Sequence, residues 1–254
     1  MKINFQELLA SLPSQVVSHI QHLERIRQDF VANVSHELRT PLTVMHGYLE
    51  TLLDQPDLNE TWKKIFLQMH QQTLRMENLI ENLLLLSRLE SQEHENKSEH
   101  VVPVFSLLQQ VCHEANAVSG EASHNIILDA DEKLMLKGCD IELRSLFSNI
   151  IFNAVKYTSS KGKINIEWYK NKEAAYFAVK DTGIGISADH LPRITERFYR
   201  VDPARSRASG GTGLGLAIAK HVLIRHDAQL TIESVYGEGS VFTCIFPSSR
   251  MIGY

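Results

Sequence analysis

Two long runs of apolar residues at helical spacing, separated by a short break, constrain this chain more than any other feature. Ile20, Leu23, Ile26, Phe30, Val34, Leu38, Leu42, Met45, Leu49 and Leu52 step by three or four. So do Trp62, Ile65, Met69, Thr73, Met76, Ile80, Leu83 and Leu86 or Leu89. That period marks one face of an α-helix. Gln55-Pro56-Asp57 separates the runs. The spacing therefore predicts a helix over residues 15–53, a tight connection, and a second helix over residues 59–90, folded back as an antiparallel hairpin. Such a hairpin has too little layered structure to bury its stripe alone. Two copies around a two-fold axis close a four-helix bundle, so a homodimer is expected. Packing of the stripe on the rest of the same chain is the alternative.

Inside the first helix lies Ser35-His36-Glu37-Leu38-Arg39-Thr40-Pro41. At about 3.6 residues per turn, Thr40 falls one turn beyond His36 on the same face, and Glu37 is offset by roughly 100°. Pro41 has no N–H, so the Glu37 carbonyl loses its helical partner and a bend is expected just after the histidine. A neutral imidazole can be a nucleophile, and a neighbouring carboxylate can hold the tautomer that leaves the other ring nitrogen free. By itself a His-Glu pair is more often a solvated helix surface.

With 254 residues and 43% hydrophobic content, the chain can bury a core in one or two domains. A net charge of −4 argues against a protein that grips nucleic acid, and no direct DNA binding is expected. Cys112, Cys139 and Cys244 are scattered and form no CxxC, which points to reduced residues rather than disulfides or zinc ligands. No run reaches the roughly 18 apolar residues of a membrane span, and residues 1–10 lack a signal pattern. The expected location is cytoplasmic, with membrane association only through a segment absent from this chain.

Residues 1–18 read as a lead-in, 19–92 as the helical hairpin and 93–103 as a polar linker. Residues 104–248 read as a second domain and 249–254 as a tail. Within the second domain the pattern predicts helices over 104–117, 140–157 and 214–226. Strands are predicted over 126–128, 134–137, 164–169, 176–180, 229–234 and 240–246, with Gly237-Glu238-Gly239 as a hairpin turn. That order suggests an α+β two-layer sandwich.

Four spaced motifs fall in this domain. Asn149-Ile-Ile-Phe-Asn153-Ala-Val-Lys156-Tyr157 puts two amides on one helix face, suited to a hard cation such as magnesium, with Lys156 placed for phosphate charge. Helix-face amides are also common without any ligand. Asp181-Thr182-Gly183-Ile184-Gly185 follows a strand. Its carboxylate can accept a hydrogen bond from an exocyclic amine such as that of adenine, or the segment can be a simple turn. Glu196-Arg197-Phe198-Tyr199-Arg200 precedes Gly210-Gly211-Thr212-Gly213-Leu214-Gly215-Leu216, which opens a helix. Glycines there present free N–H groups to phosphate oxygens. A Rossmann turn is excluded because polar residues 205–209, not a strand, precede the glycines.

In this order the motifs resemble the H, N, G1, F and G2 boxes of the sensor histidine kinases of two-component systems, over about residues 27–246. The wording around the boxes is most like that of the phosphate-regulon branch. The resemblance implies a dimeric helical hairpin followed by an ATP-binding domain of the histidine-kinase and Hsp90-like fold. It implies autophosphorylation of His36 with ATP and Mg2+, and transfer to an aspartate on the receiver domain of a response regulator. Glu37 would act as base, and Asn153 with Asn149 in support would hold the metal. Asp181, Gly183 and Gly185 would read adenine. Lys156, Tyr157, Arg200, Gly211, Thr212, Gly213, Leu214 and Gly215 would surround ribose and phosphates. Thr40 would orient water for a phosphatase reaction, or else bond back to the carbonyl four residues earlier. Two further readings are an ATP-driven clamp ATPase of the same fold, and a non-catalytic dimeric scaffold or phosphatase.

Overall fold

The computed structural model describes residues 14–90, 100–202 and 212–252, without the side chains of His36 and several residues before it in the first helix. The lead-in before residue 14, the polar stretch 91–99, Gly210 and Gly211 lie outside the described residues. The chain divides into two compact units, Met1–Gln92 and Glu93–Tyr254.

The first unit is the expected hairpin of α1 (Ser14–Leu53) and α2 (Glu60–Glu90). α1 stays helical through Pro41. Asn59 Oδ1 accepts the Thr61 N–H at 2.8 Å and caps α2. Glu60 in its first turn and Arg88 in its last complement the helix dipole. Leu42, Ile80 and Leu84 form one buried cluster between the helices. Leu49, Thr73, Leu86 and Leu89 are buried as well, but much of the stripe is uncovered: Leu38, Met45, Trp62, Ile65, Met69 and Met76 are 39–56% exposed. The two helices thus bury only one side of their apolar surface.

The second unit contains β1 (His100–Val102), α3 (Val104–Ser119), β2 (Asn125–Ala130), β3 (Met135–Gly138), α4 (Asp140–Tyr157), β4 (Lys163–Lys170) and β5 (Ala174–Asp181). It continues with α5 (Gly215–Arg225), β6 (Gln229–Val235), β7 (Gly239–Pro247) and β8 (Met251–Ile252). A five-stranded sheet runs β2-β4-β5-β7-β6, and a three-stranded sheet runs β1-β3-β8. β4 to β7 pair antiparallel, while β2 lies parallel to β4. Ile166, Val179, Phe242 and Ile232 share one row across the large sheet, and Trp168, Phe177, Cys244 and Leu230 the next. The helices pack against this sheet as a second layer, with the Phe147 ring of α4 4.6 Å from that of Phe177. The Trp168 indole N–H donates to the Leu134 carbonyl at 3.1 Å. Its apolar body is thereby buried without orphaning its donor.

The structure differs from the sequence reading in two places. β1 lies inside the stretch read as linker and pairs with β3. β8 lies in the stretch read as tail and also pairs with β3. β2 and β3, successive in sequence, do not pair. Strands of two to four residues carry too few alternations to be recognised locally; they exist because β3 offers edges on both sides. Cys112 and Cys244 are buried as expected, and burial pushes the Cys112 thiol up to about 11.

Candidate functional site

On α1, Ser35 is buried, whereas Glu37 and Thr40 are exposed. The helix therefore presents Glu37 and Thr40 to solvent instead of packing them. His36 belongs to the same helix; its side chain lies outside the description.

In the second unit, α4 and α5 set the site. Asp140 and Glu142 lie in the first turn of α4. Glu142 is held by Arg225 at the end of α5, with Nε–Oε1 and Nη2–Oε1 both at 3.1 Å. His226 adds a second tie: its Nδ1–H donates to the Val222 carbonyl at 2.8 Å, leaving Nε2 to accept the Cys139 N–H at 3.3 Å. With the start of α4 fixed to the end of α5, the later part of α4 meets the start of α5. There a Cβ on Gly215 would collide with Asn149 Oδ1. The Asn149 amide nitrogen is engaged one turn back, 2.8 Å from the Ser145 carbonyl.

α5 opens with no side-chain cap. Thr212 Oγ1 accepts the Leu214 N–H at 3.3 Å, and the first helical bond joins Ile218 N–H to the Leu214 carbonyl at 2.9 Å. The amides of the first turn are left for an external acceptor, at the end of the helix whose dipole favours an anion. Gly213 has φ +74°, and a Cβ there would lie 2.9 Å from the Phe198 backbone. Phe198 is itself left-handed at φ 61° and donates its N–H to the Gly213 carbonyl at 2.9 Å. Two residues on, Nε and Nη2 of Arg200 are buried and have no hydrogen-bond partner among the described residues. Arg200 as a whole is half-buried, and guanidinium N–H groups left buried and unpaired are costly, so this group fits an anionic ligand.

At the end of β5, Asp181 is 7% exposed, and its Oδ1 accepts the Gly183 N–H at 2.8 Å. Burial raises its pKa above the ordinary value, against the pull of hydrogen bonds from Gly183 and Ser240. A Cβ on Gly183 would lie 2.5 Å from the Tyr157 carbonyl, and Ile184 N–H donates to that same carbonyl at 3.1 Å. Gly185 (φ +64°) approaches the Val235 carbonyl too closely for any side chain.

The motifs thus meet in pairs: Asn149 with Gly215, Tyr157 with Gly183, and Phe198 with Gly213. Asn153 is half-buried on α4, and the Lys156 ammonium lies over the ring of Tyr157 at 5.1 Å from its centroid. Gly211 is outside the described residues. Two contributors escaped the sequence reading. Gly239 was assigned only to a turn, yet a Cβ there would strike the Asp181 carbonyl. Ser234 accepts the Ile186 N–H at 2.7 Å and donates to the Gly239 carbonyl at 2.9 Å, pinning the segment after Gly185 to the β6–β7 hairpin. A serine facing a Gly-x-Gly turn was the available signal.

A carboxylate at a strand end, glycines that admit no side chain, a helix start with no side-chain cap, and an arginine with two buried N–H groups unpaired among the described residues together describe a nucleotide-binding cradle on an α+β sandwich. The sequence agrees with that class. Residues 26–92 match the His Kinase A (phospho-acceptor) domain, and residues 138–250 match the histidine kinase-, DNA gyrase B- and HSP90-like ATPase domain. The chain belongs to the sensor histidine kinases. It is 53% identical over 92% of its length to the phosphate regulon sensor protein PhoR of Pseudomonas aeruginosa. It is 37% identical over 93% of its length to PhoR of Haemophilus influenzae. It spans 53% and 55% of those two proteins. Among solved structures, full-length ShkA in complex with AMPPNP superposes with a TM-score of 0.73 at 24% identity, over 89% of this chain and 46% of that one; that likeness is one of fold.

Proposed function

We propose that this chain is the catalytic part of a two-component sensor kinase that autophosphorylates His36 and passes the phosphoryl group to an aspartate on a response regulator. The observation that carries this reading is the presence, on one chain, of a helix that contains His36 and exposes Glu37 and Thr40, and a cradle in which Asn149 meets the start of α5 and Tyr157 meets the turn after Asp181. Bound ATP supplies the γ-phosphoryl group, and Mg2+ neutralises the charge that develops on it. Asp181 accepts from the adenine amine, and Gly183 and Gly185, packed against the Tyr157 and Val235 carbonyls, hold the turn that positions it. Asn153, with Asn149 in support, holds the metal. Lys156, Tyr157, Arg200 and the backbone of Gly211, Thr212, Gly213, Leu214 and Gly215 at the opening of α5 enclose ribose and phosphates. Glu37 holds the Nδ1–H of His36, so that Nε2 carries the lone pair that forms the P–N bond as the bond to the departing nucleotide breaks. The Nδ1 proton passes to Glu37.

The uncovered stripe of Leu38, Met45, Trp62, Ile65, Met69 and Met76 supports a homodimer closed as a four-helix bundle. Thr40, one turn from His36, orients water against the regulator's phosphoaspartate and makes the enzyme bifunctional. The identity to PhoR proteins supports phosphate-starvation signalling through a PhoB-like receiver domain. No helix among the described residues is long and apolar enough to cross a membrane.

The test is incubation of the chain and of His36→Gln with γ-labelled ATP and Mg2+. The parent should acquire acid-labile, alkali-stable label, and the variant none. Equal labelling of both overturns the assignment of His36. Steady phosphate release without labelled protein points instead to a clamp ATPase of the same fold.

A further inference from the structure

Ten residues beyond His36, about 15 Å along α1 at 1.5 Å per residue, three metal-ligating side chains converge across the hairpin. His46 Nε2 lies 3.2 Å from Glu50 Oε1, one turn on in α1. It lies 3.4 Å from Nε2 of His70 on α2. The ligand atoms of His46, Glu50 and His70 all fall within 4.8 Å of one another. Around a tetrahedral ion with bonds of about 2.05 Å, ligand atoms stand about 3.3 Å apart. The two shorter separations already have that value.

The other ring nitrogen of His46 has a carboxylate partner of its own. His46 Nδ1 lies 3.4 Å from Glu77 Oε2, the carboxylate–imidazole contact that fixes the tautomer of a metal-bound histidine and leaves Nε2 unprotonated. With Nδ1–H given to Glu77, His46 Nε2 and Glu50 Oε1 are two acceptors at contact distance. They repel unless a cation lies between them. A proton is one such cation: the Glu50 hydrogen bond, opposed by desolvation and aided by Glu77, raises the His46 pKa above its ordinary value. A proton bridges only two of the three atoms. A divalent ion serves all three and leaves a fourth position open.

We propose that His46, Glu50 and His70 form a site for a divalent transition metal, zinc by ligand type, that clasps α1 to α2 beyond the phosphoacceptor. Two imidazoles and a carboxylate suit Zn2+ and its neighbours rather than Mg2+ or Ca2+, which take oxygen. Glu77 is a positioning residue that acts through His46. The site belongs to the hairpin and does not depend on the nucleotide reading.

The experiment uses the full chain, stripped with a chelator and titrated with Co2+. One equivalent should produce the visible absorption of tetrahedral cobalt, Zn2+ should displace it, and Zn2+ but not Mg2+ should raise the melting temperature. His46→Gln and His70→Gln, each checked for helicity without metal, should weaken binding at least tenfold. Glu77→Gln should weaken it less and keep the cobalt band. Absence of the tetrahedral band in the parent overturns the proposal, with no variant needed. So does a band retained in both histidine variants, which would place the ion elsewhere.

Discussion

Gly215 and Asn149 stand so close that a single methyl group on the glycine would overlap the asparagine's carboxamide oxygen. Residues 66 positions apart in sequence are held there because Glu142 and Arg225, 10–12% exposed, tie the far ends of α4 and α5 together. One helix carries the amide motif and the other opens with the glycine turn. The charged tie at one end fixes the close approach at the other.

Gly215→Ala should therefore reduce nucleotide affinity at least tenfold, since the start of α5 must shift away from Asn149 and take its free amides with it. Overpacking of this kind costs about 1–3 kcal/mol. Calorimetric titration with a non-hydrolysable ATP analogue, beside a thermal melt, checks both effects. Unchanged affinity would mean that the turn does not contact the nucleotide.

Asp181→Asn separates binding from stability. Because the folded pKa lies above the ordinary 3.8, the folded chain binds more protons than the unfolded one between the two values, and stability falls as pH rises through that window. At pH 7 the ionised, buried carboxylate is thus a destabilising group in the empty site. The variant should melt no lower than the parent at pH 7 while losing adenine nucleotide binding, because an amide N–H would face the adenine amine. A melt well below the parent's would contradict this.

Glu37→Gln and Thr40→Ala should divide the two activities. Loss of the base slows autophosphorylation by about 10²–10⁴-fold with ATP affinity unchanged. Loss of the hydroxyl spares autophosphorylation and slows dephosphorylation of a phosphorylated receiver domain. Single-turnover labelling and regulator dephosphorylation assays read these separately, and a Thr40→Ala chain with intact phosphatase but poor kinase activity would reverse the assignment.

Glu142→Ala removes the carboxylate that ties Arg225 to the start of α4, at a cost of at least about 1.5–3 kcal/mol, that of a hydrogen bond to a charged group. Urea unfolding followed by far-UV circular dichroism should show the midpoint falling accordingly. Nucleotide affinity should weaken as well, because the tie that brings Asn149 to Gly215 is gone. A loss below about 1 kcal/mol, typical of exposed pairs, would show that the contact is not buried in solution.

The long helices were legible because their signal is repeated. α4 spans Asp140–Tyr157 in both the sequence reading and the structure, and α1 and α2 begin within a residue of their expected starts. The short strands β1 and β8 were not legible, nor was the parallel pairing of β2 with β4, since each depends on a partner elsewhere in the chain. The His46–Glu50–His70 cluster escaped for the same reason: the i,i+4 spacing of His46 and Glu50 was visible, but the third ligand lies on the other helix.

By itself the sequence determined which segments are helical, that the hairpin carries more apolar surface than two helices can bury, and which side chains have chemistry for nucleotide and phosphoryl transfer. These follow from backbone periodicity and functional groups, both local properties. Only the tertiary structure decided that Gly239 closes on Asp181, that two guanidinium nitrogens of Arg200 are buried without a hydrogen-bond partner among the described residues, and that Asn149 abuts the first residue of α5. Those relations join residues dozens of positions apart, and close packing and the pairing of buried charge, not spacing along the chain, set which of them meet.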